Sequence, residues 1–225
     1  AQALAAFGAH VTLAARPSKD LDAAVAALIA DGHGAEALEL DVTDTSQARA
    51  LIGVRAPYDI LVNNAGINYP VTFLDVTEDQ YDAIMTLNVR ASYFIAQVVA
   101  AKLVAAGKPG TIINISWQMG HGGAAIRTVY CASKWAIEGL TKALAVDLAP
   151  HGIRGNTLGP TFIETPLASK FLADPAFKSQ VLSKIKLGRV GQVGDLTGAI
   201  VFLASDASSL MTGSSIVVDG GWTAD

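Results

Sequence analysis

The stretch Thr128-Val129-Tyr130-Cys131-Ala132-Ser133-Lys134-Trp135-Ala136 places a tyrosine and a lysine one helical turn apart. Residues i and i+4 are neighbours on a helix surface, so the two side chains point the same way. An ammonium beside a phenol favours the phenolate, which predicts a Tyr130 pKa below the usual value of about 10. The pair is therefore a candidate proton donor and acceptor near neutral pH. Taken alone, it also fits two exposed helix residues.

The composition predicts one α/β domain over residues 1–225. The chain has 225 residues, is 51% hydrophobic and carries a net charge of -4, which is enough chain for one large core. Because its lysines and arginines are scattered, nucleic acid is not an expected partner. The single cysteine, Cys131, cannot form an internal disulfide, and this favours a reducing, cytoplasmic compartment.

Neither a membrane segment nor a targeting segment is expected. The alanine-rich stretches are interrupted by charges, and no apolar run is expected to reach the roughly 18 to 20 residues that cross a bilayer. The first residues lack the pattern of a signal peptide. Residues 1–7 instead read as the middle of a helix without an N-cap, so the chain is expected to be incomplete at its N-terminus.

Apolar, strand-like runs alternate with helical patterns along the chain. The runs cover residues 11–16, 35–40, 58–62, 111–115, 153–158 and 215–218. This alternation predicts a doubly wound parallel sheet, in which ligands bind outside the carboxyl ends of the strands. Unusual polar motifs stand at those ends, namely Arg16, Asp41, Asn63-Asn64-Ala65-Gly66, Ser116 and the loop from Pro160 to Thr165.

Five motifs in this order resemble the short-chain dehydrogenase/reductase family over essentially the whole chain. They are Asn63-Asn64-Ala65-Gly66 after a strand, Asn88 in Leu87-Asn88-Val89, Tyr130 with Lys134, the 160–165 loop, and Val218-Asp219-Gly220-Gly221. The resemblance implies a Rossmann-like fold and hydride transfer between a nicotinamide cofactor and a secondary alcohol or ketone, the small-molecule substrate. It also implies a homodimer or homotetramer.

The resemblance implies a role for each matched catalytic residue. Tyr130 would protonate the alkoxide on reduction or deprotonate the alcohol on oxidation. Lys134 would lower the pKa of Tyr130 and hold the nicotinamide ribose. Asn88 would position a water that relays protons to solvent, although an amide that stabilises a bend in its helix fits the sequence equally well.

Another set of residues is implied to bind the cofactor. The Asn64-Ala65-Gly66 turn would allow its backbone and ribose to approach closely, because these residues add little bulk. Asp41 would contact the adenine amino group, with Val42 beside the ring. The residues that would border the nicotinamide amide and the phosphates are Pro160, Ile163 and Thr165.

Ala15 and Arg16 bear on the choice of cofactor. Dinucleotide folds that prefer NAD carry an acid at this strand end, whereas NADP requires a cation near its 2'-phosphate. Ala15 is neutral and Arg16 is cationic, so NADP(H) is expected rather than NAD(H). The alternative is that Arg16 faces solvent.

The chain departs from the family pattern at the expected site. The opening strand and its glycine-rich turn, which bind pyrophosphate, should precede Ala1 and are expected to be missing. The family's serine stands thirteen positions before the tyrosine, where this chain has Trp117, and Ser116 is one place earlier. Either a bulge brings Ser116 to the carbonyl, or the Trp117 indole N–H is the donor. Gly155 is expected to weaken its strand.

The remaining titratable residues suggest no other chemistry. The four histidines, His10, His33, His121 and His151, are isolated and have no metal-ligand spacing, so no metal is expected. His121 lies in a glycine-rich loop that is expected to border the substrate cleft with Trp117. The sequence therefore favours an NADP(H)-dependent oxidoreductase. The alternative is a non-catalytic relative that acts as an oligomeric ligand-binding or scaffold protein.

Overall fold

Helices and strands alternate along the chain. The computed structural model describes residues 1–224, with the backbone alone at residues 166, 167 and 170. The strands are β1 (Val11–Ala15), β2 (Ala35–Glu39), β3 (Ile60–Asn63), β4 (Gly110–Ile115), β5 (Ile153–Pro160) and β6 (Ser215–Val218). The α-helices are α1 (Gln2–Ala6), α2 (Lys19–Ala30), α3 (Thr45–Gly53), α4 (Glu78–Met85), α5 (Ser92–Ala105), α6 (Thr128–Leu148), α7 (Pro166–Leu172), α8 (Pro175–Lys184) and α9 (Thr197–Ala204).

All the strand pairs in residues 1–224 are parallel, but they form two sheets. One has the order β1-β2, and the other has the order β3-β4-β5-β6. In register, Val62 pairs with Ile113, Ile113 with Asn156, and Thr157 with Ser215. The predicted parallel α/β architecture is confirmed. The described strands, however, do not make one continuous sheet, because neither β1 nor β2 is hydrogen-bonded to β3.

Helices cover both faces of the four-stranded sheet. Ile112 and Ile113, successive residues of β4, are both fully buried and belong to two different apolar clusters. Successive strand side chains point to opposite faces, so each cluster fills one face. The first cluster also contains Leu38 and Leu40 from the β2 region and much of α5. It therefore joins the two sheets through side-chain packing.

Side-chain caps begin two of the helices, α2 and α4. The Ser18 hydroxyl accepts a hydrogen bond from the Leu21 N–H at 3.2 Å and caps α2. Thr77 and Gln80 form a reciprocal capping box at the start of α4, which satisfies amides that the helix itself leaves unpaired. The helical run that begins at Glu78 is continuous to Ala105, but a π-helical segment, Thr86–Ala91, separates α4 from α5.

This helical run corrects the expectation about apolar segments. Glu78–Ala105 is long and apolar enough to cross a membrane by length and composition alone. Half of its most apolar window is buried inside the protein, as in the core helix of many globular domains. Val99 and Leu103 of α5 are among its most buried side chains.

Gly155 lies where α6 packs on the four-stranded sheet. A β-carbon at this position of β5 would lie 2.2 Å from Cδ1 of Leu144 on α6. The leucine occupies the space that a side chain on the strand would need. Gly155 therefore allows α6 to pack closely on the sheet, and α6 carries the residues of the candidate site.

Candidate active site

Tyr130 and Lys134 lie on the first turns of α6, next to the carboxyl end of β4. The Lys134 ammonium donates a hydrogen bond to the carbonyl of Ile115, the last residue of β4, at 2.9 Å. Its Nζ is 5.5 Å from the centroid of the Tyr130 ring. The side chain of Lys134 is buried, with 6% exposed. The sequence thus predicted the proximity of the two residues, and the fold adds the strand carbonyl as the partner of the lysine.

Burial dominates the pKa of both groups. It raises the pKa of Tyr130 well above 10, while the charge of Arg127 acts in the opposite direction. Burial lowers the pKa of Lys134 to about 8, although the Glu138 carboxylate opposes the shift. The expectation of a Tyr130 pKa below its usual value is therefore wrong for this structure, because burial outweighs the nearby positive charge. Loss of water disfavours the charged form of each side chain. The described hydrogen-bond partner of the Lys134 ammonium is the neutral Ile115 carbonyl.

Asn88 connects the loop after β3 to α6. Its Oδ1 accepts a hydrogen bond from the Ile67 N–H at 2.8 Å, and its Nδ2 donates to the Ile67 carbonyl at 3.0 Å. The same Nδ2 donates to Ser133 Oγ at 3.1 Å. Because Asn88 is almost completely buried in the π-helical segment, these bonds hold the loop and the Tyr130 helix together. The amide thus bonds to neighbouring segments and not to its own helix.

Ser116 and Trp117 point in different directions. The Ser116 N–H donates to the Leu158 carbonyl at 2.8 Å, so the β4–β5 ladder continues without a bulge. A β-carbon on Gly120 would lie 2.7 Å from Ser116 Oγ, and this buried hydroxyl has no hydrogen-bond partner among the described residues. The Trp117 ring instead packs edge-on against Tyr130, with centroids 5.0 Å apart.

The described contacts of His121 are with Glu138 and Ser215. Its Nε2 lies 3.0 Å from Ser215 Oγ and 3.3 Å from Glu138 Oε1. The angles at the closer contact fit a hydrogen bond, whereas Glu138 Oε1 has no hydrogen-bond partner within residues 1–224. The other Glu138 oxygen accepts from Thr157 Oγ1 at 2.9 Å. No described contact brings His121 to Tyr130.

Aromatic rings line the region beside Tyr130. Trp117 packs edge-on against Phe162 at a centroid distance of 5.1 Å, and Phe162 packs against Phe177 of α8 at 5.8 Å. Phe162, Val181 and Ile185 form the buried centre of this third apolar cluster. The aromatic residues therefore join the end of β4 to the helix that follows the 160–165 loop.

The residues predicted at the adenine end of the cofactor lie after β1 and β2. Arg16 is exposed at the end of β1, and its charge helps to lower the pKa of Asp41. The larger cause of that shift is Thr43, whose hydroxyl and N–H donate to Asp41 Oδ1 at 2.7 and 2.9 Å. Val42 packs against the core cluster that joins the sheets.

The residues predicted at the nicotinamide end lie after β3 and β5. Asn64, Ala65 and Gly66 form an exposed loop, and a β-carbon on Gly66 would lie 3.3 Å from Asn88 Oδ1. Pro160 ends β5, Ile163 makes a bridge to Gly191, and Thr165 caps α7 through the Ala168 N–H. The exposed loop of Asn64, Ala65 and Gly66 leaves its backbone accessible, and small residues of this kind allow a ligand to approach closely. The described residues contain no cluster of three or more metal ligands.

Sequence reasoning missed Arg127. This residue precedes the Tyr130 helix and is buried, with 8% exposed. Its guanidinium lies over the Phe177 ring, 5.6 Å from the centroid. Its position just before the motif could have drawn attention, but no local pattern predicts that an arginine is buried.

Comparison with known proteins places these motifs in a family. The family model described as "Enoyl-(Acyl carrier protein) reductase" matches residues 1–223. L-xylulose reductase from Bos taurus is 40% identical over 223 residues, which are 99% of this chain and 90% of the relative. Gluconate 5-dehydrogenase from Gluconobacter oxydans is 37% identical over 229 residues, covering 99% of this chain and 88% of the relative.

A solved structure extends the similarity to the whole fold. The gluconate 5-dehydrogenase from Burkholderia cenocepacia, in complex with NADP and tartrate, superposes with a TM-score of 0.95 at 34% identity. The match covers 100% of this chain and 89% of that protein. The family model, the curated relatives and the shared architecture agree. The chain belongs to the short-chain dehydrogenase/reductase family.

Proposed function

We propose that this protein is an NADP(H)-dependent oxidoreductase that interconverts a secondary alcohol and a ketone. The observation that carries the proposal is the convergence of Tyr130, Lys134 and Asn88 at the carboxyl ends of β3 and β4, in a chain of this family. Ligands of doubly wound sheets bind at these strand ends. The relatives support a small sugar-derived substrate, but their names include both a neutral ketose and a sugar acid.

Tyr130 is the proposed proton donor and acceptor. Its raised pKa keeps the phenol protonated at neutral pH, as a general acid for ketone reduction requires. When bound, the nicotinamide supplies or accepts the hydride. Lys134, held by the Ile115 carbonyl, is positioned to stabilise negative charge that develops on the phenol oxygen. Asn88 keeps the loop after β3 in place against this helix.

Of the two candidate donors to the substrate carbonyl, the geometry favours Trp117 over Ser116. Its ring contacts Tyr130, whereas Ser116 Oγ lies against Gly120. An indole N–H can donate one hydrogen bond and accept none. In this proposal Trp117 contributes both a wall of the cleft and its only N–H donor, and Ser116 and His121 are not in direct contact with the reacting atoms.

The cofactor preference rests on Arg16. Its cationic side chain at the end of β1 is suited to a 2'-phosphate, and the Burkholderia relative binds NADP. Asp41 and Val42 would border the adenine. The residues proposed for the nicotinamide half are Asn64, Ala65, Gly66, Tyr130, Lys134, Pro160, Ile163 and Thr165. The expectation that the family's opening strand and glycine-rich turn are missing is not confirmed, because the family model matches residues 1–223.

A homodimer or homotetramer in the cytoplasm completes the proposal. An open apolar groove between α4 and α6 is lined in part by Phe73, Val76, Tyr81 and Val129. Phe73 is 74% exposed, and pairing such surfaces across an axis would remove apolar area from water. The competing function is a non-catalytic scaffold that uses the same surface for assembly.

Substitution of Tyr130 tests the chemistry. We expect Tyr130→Phe to lower NADPH-dependent reduction of L-xylulose or 5-ketogluconate about 1,000-fold, because a positioned general acid contributes about 10² to 10⁴ in rate. NADPH affinity should change little, which fluorescence titration would measure. Tyr93→Phe, at an exposed site on α5, is the matched control. A wild-type chain with neither turnover of polyols and ketoses nor saturable NADPH binding would favour the scaffold.

A further inference from the structure

Arg127 occupies an unusual position for a cation. It is the N-cap residue of α6, three residues before Tyr130 and seven before Lys134. The first turn of that helix contains no acid. The preceding Ile126 has a positive φ of 55°, a strained conformation for a β-branched residue. Its carbonyl accepts a hydrogen bond from the Val71 N–H at 2.9 Å. The backbone is thus held in a costly conformation just before Arg127.

The Arg127 guanidinium has no counter-ion among the described residues. One terminal nitrogen, NH1, donates a long hydrogen bond of 3.4 Å to the Ala125 carbonyl. Its Nε is buried and has no partner within residues 1–224. A buried, unpaired charge is expensive, and the positive end of the α6 dipole adds to the unfavourable field. An anion at this place would relieve both effects.

The guanidinium is next to the region that is proposed to bind the substrate. It lies over Phe177, and a continuous series of ring contacts through Phe162 and Trp117 leads to Tyr130. The charge of Arg127 also affects the Tyr130 phenol, whose pKa it lowers against the larger effect of burial. Arg127 is therefore close enough to Tyr130 for its charge to act on the phenol.

We propose that Arg127 binds the carboxylate of the substrate, so that the enzyme prefers hydroxy acids and their keto acids to neutral polyols and ketoses. This inference rests on the proposed oxidoreductase function. Arginine suits the role because its planar guanidinium can donate two parallel hydrogen bonds to a carboxylate. The anion would neutralise the buried charge, whereas a neutral sugar would leave it unpaired.

Matched substrates test this preference without any mutation. Lactate, glycerate and gluconate are each compared with the corresponding carboxamide as substrates for NADP⁺-dependent oxidation. Loss of one member of a buried charge pair typically costs about 2 to 5 kcal/mol, so kcat/KM for the best acid should exceed that of its amide by on the order of 100-fold. Equal kcat/KM values for every acid and its amide would overturn the proposal.

Variants assign the preference to Arg127. Arg127→Gln should remove the preference for the acid, measured as the ratio of kcat/KM for the acid to kcat/KM for its amide, and Arg127→Lys should restore part of this ratio. Arg49→Gln, on an exposed position of α3, is the matched control. An unchanged preference in Arg127→Gln would refute the assignment.

A binding readout separates this inference from the oxidoreductase function. In thermal denaturation, the best-bound acid should raise the melting temperature of the wild type but not that of Arg127→Gln, even without turnover. Stabilisation of the wild type alone, with no oxidation of any alcohol, would support the anion site and contradict the proposed function. Oxidation of neutral alcohols, without stabilisation of the wild type by any acid, would support the oxidoreductase function and contradict the anion site.

Discussion

At the scale of single residues, exclusion of water controls the charges of Tyr130 and Lys134. The phenol and the ammonium are close in space, yet both pKa values move in the direction that disfavours charge. The Ile115 carbonyl is a neutral partner for Lys134 and offsets only part of the cost of burying its charge. The site therefore stores an unfavourable lysine charge that a bound ligand or a phenolate can relieve.

This cost predicts a dependence of stability on pH. The folded-state pKa of Lys134, about 8, is below its ordinary value of about 10.4. Between these pH values the unfolded chain binds more protons, so stability rises with pH. From pH 7 to pH 10, we expect the free energy of unfolding of the wild type to increase by about 2 kcal/mol relative to Lys134→Met.

Urea denaturation at several pH values measures this difference. Lys142→Met, at an exposed position on the same helix, is the control and should follow the wild-type profile. If the free energy of unfolding changes by the same amount in Lys134→Met and in the wild type from pH 7 to pH 10, burial of Lys134 is not the cause of the pH dependence.

At the scale of elements, α6, which carries the candidate pair Tyr130 and Lys134, packs closely on β5. Gly155 leaves room for Leu144 at a distance that no β-carbon could tolerate. The fully buried Thr141 hydroxyl, also on α6, accepts a hydrogen bond from Asn114 Nδ2 at 2.8 Å and so ties the helix to β4. Helix α6 is thus fixed to two neighbouring strands of the sheet.

The contact between Gly155 and Leu144 predicts a coupled effect on stability. Gly155→Val should destabilise the protein by about 2 kcal/mol through overpacking, and Leu144→Ala should cost about 2 kcal/mol through lost packing. The double variant should lose at least about 1 kcal/mol less than the sum, because the valine fills space that the leucine vacates. A double-mutant cycle by urea denaturation measures the coupling. Additive losses would show that the two side chains do not compete for this space.

At the scale of the whole molecule, the candidate cofactor residues are divided between two sheets. Arg16 and Asp41 follow β1 and β2, whereas Tyr130, Lys134 and Pro160 are associated with the four-stranded sheet. Apolar packing through α5 joins these parts. A dinucleotide that contacts both groups of residues would add a second connection and stabilise the folded chain.

Arg16 is predicted to affect the binding of NADPH but not that of NADH, because only NADPH carries the 2'-phosphate. Arg16→Ala should weaken NADPH binding about 10-fold, since an exposed charge-assisted contact contributes modestly, and should leave NADH binding nearly unchanged. Fluorescence titration of both cofactors measures the ratio, with Arg49→Ala as the control. An equal loss of affinity for NADPH and NADH would mean that Arg16 does not recognise the 2'-phosphate.

The sequence by itself determined the elements and the family. Periodicity, caps and turns act over a few residues, so the capping box at Thr77, the strands and the helical spacing of Tyr130 and Lys134 can be predicted locally. Ordered motifs then identify the family, which the comparisons confirm. The predicted lowering of the Tyr130 pKa was wrong, because burial of the phenol depends on groups that are distant in sequence.

Only the tertiary structure decided how these residues meet. It divided the strands into two sheets, turned Ser116 toward Gly120 and Trp117 toward Tyr130, and buried Arg127 without a counter-ion among the described residues. Burial and electrostatic interaction depend on distances through space, which a one-dimensional pattern does not contain. The Tyr130–Lys134 pair was therefore evident from its spacing, whereas its charge state and the neighbouring cation came from the fold.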